Sequence, residues 1–70
     1  MIDLRKLAQF QYQEKVKIVC TNGMVITGNA GEVDDEEESG IDEPGVTFYS
    51  DDGRLLEIGL SEIDSISIEE

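Results

Sequence analysis

The residues best equipped for chemistry are carboxylic acids. Seven of the ten residues from Asp34 to Glu43 are Asp or Glu, and oxygen-rich runs of this kind hold calcium when their spacing suits the ion. An EF-hand frame starting at Asp35 puts Glu37 and Ser39 at ligand positions and Gly40 at the required turn. The twelfth position is then Val46, where a bidentate glutamate is needed. That frame fails, and no metal site is expected. Paired carboxylates also serve as general acids, but only where burial raises one of them, and this run has the composition of a water-exposed segment. The lone Cys20 lies in an alternating apolar run, and the chain has no histidine to activate it. Gly28-Asn29-Ala30-Gly31 lacks the lysine and the following helix of a phosphate loop. The expectation is a non-catalytic protein without a cofactor.

Charge points instead to partners. The net value is −12, and it is divided unevenly. Residues 1–31 sum to +2, whereas residues 32–70 carry fifteen carboxylates against Arg54 and sum to −14. Such a field repels a phosphate backbone and attracts basic protein surfaces. The same charge also keeps a small protein soluble. Asp34, Asp35, Glu36, Glu37, Glu38, Asp42 and Glu43 are therefore the candidate contacts for a basic partner. Seventy residues form one domain, spanning 1–70, with a core small enough for self-association to be a natural supplement. The start of the chain, MIDLRKLAQF, has no signal-peptide h-region, and no run reaches membrane-spanning length. A cytoplasmic protein with no membrane contact is expected.

The elements that must position these groups follow from alternation and turn chemistry. Asp3 can cap a helix over about residues 3–11, with Leu4, Leu7 and Phe10 covering the sheet. A strand competes there, because Phe10, Tyr12, Val16, Ile18 and Cys20 share one parity. The stretch Val16 to Asp34 carries the strongest signal, two alternating runs hinged at Asn22-Gly23. A two-residue loop would oppose Ile18 to Thr27. A three-residue loop opposes Ile18 to Ile26 and Val16 to Gly28, gathers the apolar positions on one face, and puts Gly23 in the left-handed conformation such loops need. The second register is the one expected. Residues 32–44 hold eight carboxylates with Ser39, Gly40 and Pro44, and read as a solvated loop. Val46 and Phe48 then alternate against Leu56 and Ile58 around a second glycine turn at Gly53. Ser61-Glu62-Ile63 reads as a tight helical turn before a last short strand with Ile66 and Ile68. Tyr49 and Leu55 face outward and are candidate residues of a subunit contact. Five alternating strands with one short helix make the class all-β, and the layout that of a small, bent antiparallel barrel.

This arrangement resembles the Sm-like (LSm) family and, more broadly, small SH3-like barrels. The resemblance rests on Val16, Ile18 and Cys20, then Asn22-Gly23, then Gly28 and Asp34, with a preceding helix and an LSEIDSI approach to the last strand. It implies a five-stranded barrel, while self-association through strand edges is expected from the barrel pattern and the small core. In RNA-binding members the aspartate is followed by a segment ending in Met-Asn, whose asparagine meets the base. Glu37 and Glu38 occupy those positions here. The family's later Arg-Gly has Ile58-Gly59 as its nearest counterpart, with no arginine before the glycine. RNA binding is therefore not expected. The Rho-binding antiterminator family is similar in fold and acidity, and that likeness implies an acidic regulator of a basic, nucleic-acid-binding protein.

Overall fold

The computed structural model describes residues 2–69. The chain folds into a short helix α1 (Leu4–Ala8), strands β1 (Val16–Cys20), β2 (Val25–Asp34), β3 (Gly45–Ser50) and β4 (Leu55–Gly59), one 3-10 turn (Leu60–Glu62), and β5 (Ile63–Ile68). The five strands form one sheet in the order β4-β3-β2-β1-β5, with every neighbouring pair antiparallel. No ladder joins β4 to β5, so the sheet is open and ends in two edge strands. Closure of the sheet into a barrel, expected from the alternation, is not among its ladders. Among the described residues no helix is long and apolar enough to cross a membrane.

Both hairpins adopt the register that alternation predicts. Ile18 pairs with Ile26 and Val16 with Gly28, while Phe48 pairs with Leu56 and Val46 with Ile58. Each turn closes on a glycine at φ +88°, Gly23 in the first and Gly53 in the second. Each of these glycines donates its N–H back across the turn, to the Cys20 carbonyl at 2.9 Å and the Ser50 carbonyl at 3.0 Å. Asn22 Oδ1 accepts from Met24 N at 2.9 Å, which is the local bond that suits asparagine to turns. In the second turn Asp52 takes a hydrogen bond from the Ser50 hydroxyl and pairs with Arg54 Nε at 2.9 Å. The Ser50 bond, then Arg54, lower the Asp52 carboxyl below its usual range.

Inward positions build the core. Leu7, Val16, Ile18, Val46, Phe48 and Ile63 are fully buried, with Ala30, Ile58 and Ile66 nearly so. Phe10, Cys20, Ile26, Val33, Leu56 and Leu60 pack around them. Of the three residues expected to cover the sheet, Leu7 is sealed, Phe10 is half-buried and Leu4 is exposed. Ile68 also turns out to solvent.

The tight turn is Leu60–Glu62, one residue earlier than Ser61-Glu62-Ile63, and Ile63 opens β5. The helix and the acidic loop also have other bounds than the sequence reading gives. The helix spans Leu4–Ala8 and not 3–11. Asp3 caps it as expected, accepting from Lys6 N at 2.8 Å, but residues 9–13 continue as tight three-residue turns. Tyr12 then takes a positive φ of 62°, which reverses the chain onto the sheet. The acidic loop also begins later than residue 32, because β2 runs on to Asp34. A bulge between Ala30 and Val33 lets the strand continue: Ala30 faces Phe48, and Val33 faces Val46. Gln11 Oε1 accepts from Val33 N at 3.0 Å, and Gly31 O accepts from Tyr12 N at 3.0 Å. The segment after the helix thus satisfies groups that the bulge leaves unpaired.

Candidate functional site

The outer face of β2, β3 and β4 carries three of the residues singled out from sequence, Asp34, Tyr49 and Leu55, and the other six lie in the β2–β3 connection. Directly opposed residues in a sheet share a face. The pairs Asp34–Gly45, Thr47–Glu57 and Tyr49–Leu55 therefore place Asp34, Thr47, Glu57, Tyr49 and Leu55 on one surface. At one end of it Tyr49 and Leu55 stand side by side, 52% and 66% exposed. The Tyr49 ring also lies against Gly31, where a Cβ would stand 3.0 Å from its edge. At the other end carboxylates converge: oxygens of Glu32, Asp34 and Glu38 lie within 4.8 Å of one another. Sequence reasoning included Asp34 and Glu38 but left out Glu32 and Glu57. An unbroken period of two past the buried Ala30 would turn Glu32 inward, and the bulge between Ala30 and Val33 changes that phase and leaves it exposed.

The connection between β2 and β3 is more structured than its composition suggests. Asp35 Oδ1 accepts from Glu37 N and Glu38 N, each at 3.0 Å, and its carbonyl accepts from Ser39 N at 3.0 Å. This turn leaves Glu36, Glu37 and Glu38 exposed. Asp42 is exposed too, at a φ of 61°. Glu43 differs from the rest. Its carboxylate accepts from Ser61 N at 2.7 Å and from the Ser61 hydroxyl at 2.8 Å. It lies over Gly59, where a Cβ would come within 2.7 Å of its carboxyl carbon. Ser39 Oγ donates to the Glu43 carbonyl at 2.6 Å. Of the acidic candidates, Glu43 ties the loop to the 3-10 turn, Asp35 holds its own turn and Asp34 faces Glu57, while Glu36, Glu37, Glu38 and Asp42 are exposed.

Glu57 stands apart. Its Oε2 atom is sheltered from solvent and meets no hydrogen-bond donor. Burial, and next the neighbouring Asp34 carboxylate, push its carboxyl above the usual range, while the Thr47 hydroxyl acts in the opposite direction. The calcium frame finds no support, since its twelfth residue, Val46, is a core residue of β3. Cys20 is half-buried, and burial followed by the Glu62 charge pushes its thiol above the usual range. A cleft of about 300 Å³ is lined by Cys20, Met24 and Ile26 of the first hairpin and by Leu56, Ile58 and Glu62 of β4 and the 3-10 turn.

Comparison of the chain with models of known protein families, with curated proteins and with solved structures finds no match. The functional reading rests on the fold and its surface.

Proposed function

We propose that this chain is a non-catalytic interaction module of Sm-like type that self-associates through its strand edges. The observation that carries this reading is the open sheet: β4 and β5 each present one side with no strand beside it. An unpaired strand edge is a template for another strand. The cleft beside β4 gives an incoming chain an apolar seat, and the exposed Tyr49–Leu55 pair lies on the adjoining face. A core this small gains from burial between copies. Sedimentation velocity at micromolar concentration tests the idea. The expected result is a species whose mass is a multiple of 7.8 kDa, and a clean monomer overturns it.

A second reading is an acidic regulator that binds a basic, nucleic-acid-binding protein, as the Rho-inhibitor likeness implies. The convergence of Glu32, Asp34 and Glu38 beside the exposed Glu36 and Glu37 favours it. Capture of such a partner should fall steeply with salt, since exposed charges are screened within about 8 Å at physiological ionic strength. Direct RNA binding in the Sm manner is disfavoured, because Glu37 and Glu38 stand where the base-reading pair would be. No retention of U-rich or A-rich oligonucleotides is expected.

A further inference from the structure

A buried polar atom with no partner asks for an explanation, and Glu57 Oε2 is such an atom. It sits on the edge strand β4 above Gly45, where a Cβ would stand 3.2 Å from it. Gly45 in turn pairs with Asp34 on β2. The missing side chain at Gly45 is what lets carboxylates from two strands that are not neighbours approach across the strand between them. From β3 the Thr47 hydroxyl faces Glu57, and from β2 the Asp34 carboxylate does. Behind Asp34 stand Glu32 and Glu38. From the β2–β3 connection come the Ile41 methyl, also 3.2 Å from the Gly45 Cβ position, and Glu43, which is engaged with Ser61 over Gly59. The ionised groups of this cluster all carry the same sign.

We propose that Asp34 and Glu57 form a proton-sharing carboxyl pair that fastens edge strand β4 to β2 across β3. A proton taken from solvent binds Glu57, whose O–H then donates to the Asp34 carboxylate. Proton loss leaves two like charges facing each other, one of them sheltered from water, and loosens the edge. The direction of the linkage follows. The folded chain holds this proton more tightly than the unfolded chain, so the stabilisation is present at pH below the ordinary glutamate range. It is lost as pH rises through the raised folded value of Glu57.

Carboxyl-detected NMR titration of the whole chain tests this. The Glu57 resonance is expected to titrate above the ordinary glutamate range. In Asp34→Asn, where an amide replaces the like charge, it should move back toward that range. Backbone hydrogen exchange in β4, corrected for the intrinsic pH dependence, should slow as Glu57 takes up its proton. Glu57→Gln should melt higher than the unsubstituted protein at neutral pH, with the difference shrinking on acidification. If Glu57 titrates in the ordinary glutamate range, the pair does not exist. If it titrates high but β4 exchange is unchanged across that range, the proton does not fasten the strand. Should Glu57→Gln fail to fold, the titration and exchange of the unsubstituted chain still decide. Exchange and melts are to be read at concentrations where sedimentation shows one unchanging species across the pH range, because pairing of β4 with another copy would itself protect it.

Discussion

Gly23 and Gly53 both stand at φ +88°, with open space where a side chain would begin. Replacing either by alanine meets no steric clash, so the cost is the backbone conformation alone, about 1 kcal/mol. Thermal melts of Gly23→Ala and Gly53→Ala should show losses of that size, equal within error because the two turns are built alike. Gly28 is a different case. A Cβ there would collide with the Tyr49 carbonyl oxygen and come within 2.8 Å of Ser50 Cα. Backbone cannot yield as a side chain can, so Gly28→Val should abolish soluble expression. Soluble, cooperatively melting Gly28→Val protein would show that β2 and β3 do not approach this closely.

At the scale of elements, the acidic connection divides into a free part and an anchor. Glu36 and Glu37 project from a turn held by Asp35, whereas Glu43 fastens the far end of the loop to Ser61. Hydrogen bonds to a charged group contribute about 1.5–3 kcal/mol when well sheltered. Glu43 is partly exposed, so Glu43→Ala should cost about 1 kcal/mol after screening. Glu36→Gln should leave the melting temperature unchanged or raise it slightly by reducing like-charge repulsion. For the same reason, replacing residues 36–38 with Gly-Asn while keeping Glu43 should preserve the fold. Deleting the whole connection should not, because it removes the anchor as well. If the free part contacts a basic partner, the trimmed protein should fold and lose capture. Capture that survives trimming would confine the contact to other surfaces.

For the whole molecule, charge and edges pull against each other. Each copy carries −12, so bringing two together costs electrostatic work that salt reduces. Assembly through strand edges should therefore strengthen as ionic strength rises, whereas capture of a basic partner should weaken. Sedimentation and capture across one salt series thus separate the two proposed readings by the sign of the slope. Leu55→Ser removes an exposed apolar side chain beside Tyr49 without changing the charge. It should weaken self-association and leave the melt unchanged at concentrations where the protein is monomeric, since Leu55 is 66% exposed.

Local order was legible in the residues. Alternation and turn glycines act over a few positions, and shifting either hairpin by one residue would turn every apolar side chain to the wrong face. That is why the pairs Ile18–Ile26 and Phe48–Leu56 could be read directly. The Asp3 cap was legible for the same reason, because it reaches only three residues along the chain. What alternation could not convey is where a pattern survives an interruption. The bulge after Ala30 carries β2 on to Asp34 because Gln11, 22 residues away in sequence, supplies the acceptor for Val33 N. The anchoring of Glu43 on Ser61 spans 18 residues. The meeting of Asp34 with Glu57 depends on Gly45 lying between them in the sheet. Composition marked the acidic run as solvated, and for Glu36 and Glu37 it is exposed as expected. Which carboxylates are free, which is an anchor and which is left without a donor depended on the order in which distant strands were laid side by side. That order also leaves β4 and β5 as open edges, because hydrogen bonds between strands are long-range contacts that no short window of sequence encodes.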